Sequence, residues 1–274
     1  MPRREEPALR SVTPGGAGGV SVLPQGQATR RPSDETLGQT IRRLSGAQKT
    51  SKGAPAYSRF VNRKAGRIIA AVAYHCRLTP NAVTLISAAW SFAAIVLLVF
   101  GSPTTTLGIA VCACLAIGYA FDSADGQLAR LRGGGSPAGE WLDHVVDSGK
   151  VCGLHLAVLV SLYRAGTSDR ELLIPLVWTW VATVLFFVII LNDQLHRALG
   201  TVPATDAPAP VLRSLLVAPT DYGVLLLTFV LLGEHHLFLW VYGLLLVANI
   251  AYLAAGLAKW FRELSHLPTT GATA

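Results

Sequence analysis

The stretch DSADGQLARLRGGGSPAGEWLDHVVD, residues 122–147, holds the side chains best placed to do chemistry. Asp122 and Asp125 are three residues apart, and Asp143 and Asp147 four apart. On helices each pair shares a face. Gly133, Gly134, Gly135 and Pro137 between them mark a turn. A helical hairpin would therefore bring four carboxylates together. Such a set repels itself unless a cation neutralises it, and all-oxygen donors suit Mg²⁺, Mn²⁺ or Ca²⁺ better than Zn²⁺. A carboxylate-held cation with open coordination positions suits a phosphate-bearing substrate. Arg130, five residues past Asp125, has a planar fork that matches phosphate oxygens. Gly126 and Gly139 lack a Cβ, so a flat base or a phosphate can approach the backbone there. Lys150 lies about one turn beyond Asp147 on roughly the same face, and two readings stand. It holds a phosphate on a second substrate, or it neutralises the aspartates. Asn192, Asp193, His196 and Arg197 are further candidates for lining a second-substrate pocket.

The segments that must position these residues are apolar. Residues 82–100 and 104–121 carry no charge, and 145–163 is apolar except for Asp147, Lys150 and His155. Residues 172–191, 214–232 and 237–258 complete six segments, each long enough to cross about 30 Å of hydrocarbon. A carboxylate at the centre of such a helix costs about 2.5–3.5 kcal/mol on insertion scales, so paired acids at these helix ends call for a function. Ahead of the first span, AYSRFVNRKAGRIIAAVAYHCR (residues 56–77) places Tyr57, Phe60, Val61, Ile68, Ala71 and Val72 at helical spacing, with Arg59, Arg63, Lys64 and Arg67 interleaved. That pattern predicts an amphipathic helix in the membrane interface. The expected fold is an all-α integral membrane protein of six transmembrane helices plus this interfacial helix. His155 reads as a buried, hydrogen-bonded histidine, and Asp221 beside Pro219 as a helix cap.

Composition agrees. Of 274 residues 51% are hydrophobic and 14% charged, which excludes an ordinary soluble or disordered chain. Residues 1–77 hold 14 of the 23 Lys and Arg but 4 of the 16 Asp and Glu. This bias places the N-terminus in the cytosol, and six spans return the C-terminus there. Arg130, Arg132, Arg197, Arg213, Lys259 and Arg262 then fall on the cytosolic side, against Arg164 and Arg170 on the other. Residues 1–50, rich in Gly, Pro, Ser, Thr and Arg, read as a disordered basic arm suited to anionic lipid headgroups. No aromatic interleaving supports nucleic-acid binding. Residues 51–264 read as the membrane domain and 265–274 as a short tail. Cys76, Cys112, Cys114 and Cys152 show neither metal nor disulfide spacing.

The pattern D-x2-D-G-x2-A-R-x8-G-x3-D-x3-D is met by Asp122, Asp125, Gly126, Ala129, Arg130, Gly139, Asp143 and Asp147. It resembles the signature of the CDP-alcohol phosphotransferase (phosphatidyltransferase) family. Pro80-Asn81-Ala82-Val83-Thr84 resembles that family's opening of the first span, and the likeness extends over roughly residues 55–260. The resemblance implies that Asp122, Asp125, Asp143 and Asp147 are ligands of a site for two ions, Mg²⁺ or Mn²⁺, with Asp147 also the general base. It implies that Pro80, Asn81, Ala82, Val83, Gly126, Arg130, Ser136 and Gly139 bind the CDP donor, with Lys150 and Arg197 the candidates for acceptor binding. The implied reaction moves a phosphatidyl group from CDP-diacylglycerol to the hydroxyl of a polar alcohol, of glycerol phosphate or inositol phosphate type, and releases CMP. The implied setting is the inner cell membrane, with a homodimer whose active site faces the cytosol.

Two alternatives stand beside this expectation. One is a transferase using another CDP-alcohol, such as CDP-inositol, which the YSRFVNR stretch loosely suits. The other is a transporter or scaffold, in which intramembrane acids form an ion path or nothing catalytic. Against it, the acids gather at one boundary, no paired broken helices occur, and the motif is intact.

Overall fold

The computed structural model describes residues 35–46, 55–201 and 218–266, and among these the only regular structure is helical. Helix α1 spans Leu37–Gly46. A π-type turn, Ser58–Asn62, leads into α2, Arg63–His75. Then follow α3 (Pro80–Phe100), α4 (Thr105–Leu131), α5 (Pro137–Arg164), α6 (Asp169–Ala198), the short α7 (Tyr222–Thr228) and α8 (His235–Ser265). The starts are written in the sequence. Thr79, Thr104 and Ser136 cap α3, α4 and α5 by accepting the backbone N–H of Ala82, Leu107 and Gly139 at 3.1, 3.2 and 3.0 Å, and Pro80 and Pro137 open α3 and α5. Ser168 and Glu171 close a capping box on α6.

Helices α3, α4, α5, α6 and α8 run 21, 27, 28, 30 and 31 residues, each long and apolar enough to cross a membrane. The segment expected to span at 214–232 differs. Its described part is a 3₁₀ turn at Ala218–Thr220, then α7 and a second 3₁₀ turn at Phe229–Leu231. Its ten apolar helical residues, Tyr222–Leu231, rise about 15 Å. Asp221 caps this helix through the N–H of Gly223 at 3.0 Å, which fixes the start of α7 at Tyr222.

Close packing at the aspartate-bearing helices depends on small residues. Ser87 Oγ donates to the Gly118 carbonyl at 2.9 Å, and a Cβ on Gly118 would sit 2.5 Å from Ser91 Oγ, so α3 and α4 approach through backbone. A Cβ on Gly66 would lie 2.7 Å from Ser123 Oγ, which sets α2 against α4 one residue from Asp122. The core beyond is Leu98, Leu115, Leu154, Leu162, Trp178, Phe229, Phe238 and Tyr242. Large apolar side chains such as Val96, Phe100, Trp180, Trp240 and Phe261 face outward, where lipid rather than water suits them.

Helix α2 has the expected two-sided character. Phe60 and Val61 in the turn before it, and Ile68 and Val72 on it, are exposed, while Ala70, Ala71 and Ala73 pack inward and Tyr57 packs against the core, so Tyr57 and Ala71 belong to the protein-facing side. The basic arm needs a correction over Leu37–Gly46, which is a helix rather than disordered chain. Leu44 is buried with Ala70 and Tyr74, Thr40 Oγ1 lies 3.1 Å from His75 Nε2, and Arg43 pairs with Glu35 at 2.9 Å. These contacts with α2 supply the burial that the arm's own composition lacks. Residues 1–34 and 47–50 of the arm, and 267–274 of the tail, lie outside the described residues.

Candidate active site

The α4–α5 hairpin closes as its turn chemistry requires. Gly133 and Gly134 have φ of 97° and 130°, where a side chain is strained, and Gly134 N–H bonds back to the Ala129 carbonyl at 2.9 Å. The hairpin then sets the last turns of α4 beside the first turns of α5. Asp122, Asp143 and Asp147 each offer a carboxylate oxygen, all within 4.8 Å of one another. This all-oxygen donor set fits a hard divalent cation.

Asp125 stands slightly apart from these three. It is buried, and each of its oxygens accepts a hydrogen bond. Oδ2 accepts from Thr84 Oγ1 at 2.6 Å, and Oδ1 accepts from the Gly126 N–H at 2.5 Å. Thr84 lies on α3, four residues after Pro80, so the Asp125–Thr84 bond ties the PNAV opening of α3 to the aspartate face of α4. A second tie comes from Gly139, where a Cβ would be 3.0 Å from Asn81 Oδ1 and 3.2 Å from Ser136 Oγ. Asn81, Ser136 and Gly139 are thus neighbours, as are Gly126 and Arg130, whose Nη1 lies 3.5 Å from the position of a Gly126 Cβ. The sequence-predicted residues of α3, α4 and the start of α5 therefore gather at one end of the bundle.

Lys150 sits inside the cluster. Its ammonium donates to Asp122 Oδ1 at 2.6 Å, Asp147 Oδ1 at 2.9 Å and Ser87 Oγ at 3.0 Å. The three partners come from α3, α4 and α5, so one cation pins three helices. Of the two readings of Lys150, this geometry favours neutralisation of the aspartates. Arg197 is half exposed on α6 and bonds Glu140 at 2.5 Å and Asp193 at 2.6 Å. Glu140 also lies 3.8 Å from His144 and accepts from Gln194 at 3.4 Å. These residues border a cleft of about 510 Å³ lined by Pro137, Glu140, Trp141, His144, Val145, Ser148 and Gln194. The α5 residues of that cleft follow one helical face, on which Glu140 lies two turns before Asp147. His196 is buried and lies 2.8 Å from Thr201 Oγ1, which makes it a helix-end contact rather than part of the cluster.

Sequence reasoning missed Ser87 and Glu140 and gave Thr84 no role of its own. Thr84, Ser87 and Ser91 do form a polar stripe at i, i+3 and i+7 on an otherwise apolar α3, a signal that was available. His155 and Asp221 have the structural roles expected. His155 Nδ1 lies 2.5 Å from the Tyr242 hydroxyl, and Asp221 accepts N–H groups from Gly223 and, at 3.1 Å, from Ser58.

Comparison with known proteins bears directly on this end of the bundle. The family model described as CDP-alcohol phosphatidyltransferase matches residues 77–260, which contain the hairpin and all five long helices' apolar portions. A comparison with curated proteins gave no match. Among solved structures, the chain is similar to a Mycobacterium tuberculosis phosphatidylinositol phosphate synthase in complex with manganese and citrate. The identity is 21% and the TM-score 0.48, over 70% of this chain and 87% of that one. With the family matched across its membrane helices and motif, the chain belongs to the CDP-alcohol phosphatidyltransferases and is an integral membrane transferase of phospholipid biosynthesis.

Proposed function

We propose that this transferase moves a phosphatidyl group from CDP-diacylglycerol to the hydroxyl of a polar alcohol of the glycerol phosphate or inositol phosphate type, releasing CMP. The observation that carries the reading is the convergence of Asp122, Asp143 and Asp147 beside Arg130 and the Gly126 and Gly139 approaches. Asp147 takes the proton of the acceptor hydroxyl. The acceptor oxygen forms a bond to the β-phosphorus as the bond from that phosphorus to the CMP oxygen breaks, and CMP leaves with the electron pair. Asp122, Asp143 and Asp147, with Asp125 beside them, would hold two Mg²⁺ or Mn²⁺ ions, which when bound neutralise charge on the pyrophosphate.

The remaining work is positioning, which dominates phosphoryl transfer generally. Arg130 would grip the pyrophosphate, while Pro80, Asn81, Ala82, Val83, Ser136 and Gly139 would line the cytidine side. Lys150 would hold Asp122 and Asp147 in place, and Arg197, at the rim, would meet the acceptor's phosphate. The catalytic unit is residues 51–264, with α1 docked on it. Arg130, Arg132, Arg197, Lys259 and Arg262 lie at the aspartate end, which supports a cytosolic site under the positive-inside bias.

The test is an acceptor screen on purified protein in detergent with Mg²⁺ or Mn²⁺ and CDP-diacylglycerol. CMP release that depends on glycerol 3-phosphate or an inositol phosphate is the expected result. Silence with every acceptor, but release from CDP-inositol, would overturn the choice of donor. Silence with both donors, by a folded protein, would overturn the activity.

A further inference from the structure

The opposite end of the bundle carries a second group of metal-ligand side chains. Glu171 lies in the first turn of α6, and His235 and His236 open α8. One carboxylate oxygen and one ring nitrogen from each histidine lie within 4.8 Å of one another. The register that brings them together is fixed from below. Two turns further along each helix, Trp178 Nε1 donates to the Tyr242 carbonyl at 3.0 Å, and a Gly243 Cβ would touch Ile174 at 3.9 Å. Glu171 is seven residues before Trp178, and His235 seven before Tyr242, so two parallel helices locked at 178–242 must bring 171 to 235.

The donor set is chemically unlike the aspartate cluster. One carboxylate with two imidazoles suits Zn²⁺ and its transition-metal neighbours, not Mg²⁺. Glu171 is oriented from behind, because Ser168 Oγ and N–H both donate to its Oε2, at 2.7 and 3.3 Å. Its Oε1 is left to a ligand, the arrangement by which an outer partner aims a metal-binding carboxylate. From Asp147 to Arg164, α5 alone climbs about 25 Å, so this group and the aspartates lie on opposite membrane faces.

We propose that Glu171, His235 and His236 form a Zn²⁺-class metal site that clamps the non-catalytic ends of α6 and α8. The site is independent of the transfer reaction. The experiment is a Zn²⁺ titration by calorimetry of the full-length protein in detergent, with Mg²⁺ in excess to occupy the oxygen-rich cluster. The expected result is one Zn²⁺ per chain, retained in Asp122→Asn/Asp143→Asn and in Cys76→Ser, and weakened at least about tenfold in His235→Ala/His236→Ala. Glu171→Gln keeps a capping-box side chain, so it tests the ligand without removing the cap, and it should weaken binding too. Wild-type protein loaded with Cu²⁺ should show nitrogen hyperfine coupling by electron paramagnetic resonance, a readout that needs no variant. Absence of Zn²⁺ binding in the wild type, or binding lost with the aspartates or Cys76 rather than the histidines, would overturn the proposal.

Discussion

Helix α5 carries two polar clusters about 12 Å apart along its axis, one at Asp143–Lys150 and one at His155. They solve the cost of polar burial in opposite ways. His155 is stacked on Trp178 with ring centroids 4.6 Å apart, its Nδ1 meets the Tyr242 hydroxyl, and Trp178 in turn donates to the Tyr242 carbonyl. Each donor named there has an acceptor, and no formal charge is needed. At the other cluster, Asp122, Asp143 and Asp147 bring three carboxylates together with one ammonium, Lys150, bonded to two of them. Donors and charges do not balance, so the site has capacity for more positive charge. Matched polar burial builds a joint between helices, whereas mismatched burial of one sign builds a site for ions and charged substrates.

The largest effects should separate the clusters by activity. Asp147→Asn keeps the shape but cannot take a proton, and transfer should fall about 10²- to 10⁴-fold while the protein still inserts and elutes as wild type. Stripping divalent ions with EDTA should silence CMP release and Mg²⁺ or Mn²⁺ should restore it. Unchanged CMP release in Asp147→Asn would remove that residue as the base.

Next in size is Lys150→Met. Removing the ammonium leaves Asp122 and Asp147 facing each other unpaired, a change of the kind that costs about 3–5 kcal/mol when a buried partner is lost. Added Mg²⁺ replaces the missing charge, so the gain in Tm from Mg²⁺ should be larger in the variant than in the wild type. Equal Mg²⁺ gains in both proteins would mean that Lys150 does not neutralise the site to which the ion binds.

Tyr242→Phe probes the matched cluster. It leaves His155 Nδ1 without its partner and should lower stability by about 1–3 kcal/mol, with the CMP release rate per folded molecule unchanged. Loss of activity without loss of stability would show that the two clusters are coupled through α5.

The sequence disclosed most of this arrangement where the information is local to one helix. Spacing alone placed Asp122 with Asp125 and Asp143 with Asp147, and the glycines announced the hairpin between them. Spacing cannot say which neighbouring helix a face will meet. Asp125 therefore read as a member of the set with no sign of its bond to Thr84 on α3. Lys150 stayed open between two roles for the same reason, since its partners on α3 and α4 are 63 and 28 residues away. Helix α1 was illegible because its composition resembles a tail, and the buried surface that orders it belongs to α2. Within the apolar run at 214–232, hydropathy does not register the cap that Asp221 places at the start of α7.

The smallest effect on stability should come from Glu140→Gln, and it sharpens the comparison at its rim. The Arg197 pair with Glu140 is roughly half exposed on both sides, a class worth less than about 1 kcal/mol, so Tm should hardly move. Its effect on substrate should be disproportionate. Glu140 and Asp193 together occupy the guanidinium of Arg197, and loss of one frees part of the fork for an incoming phosphate. The KM for a phosphorylated acceptor should then fall by about fivefold, the equivalent of one such ion pair, with kcat unchanged. An uncharged acceptor such as inositol or glycerol should show no shift. A fall for both classes would mean that the change acts through the shape of the cleft. No change for either would place Arg197 outside the acceptor's path and leave acceptor selection to the charge gathered at Asp122, Asp143, Asp147 and Lys150.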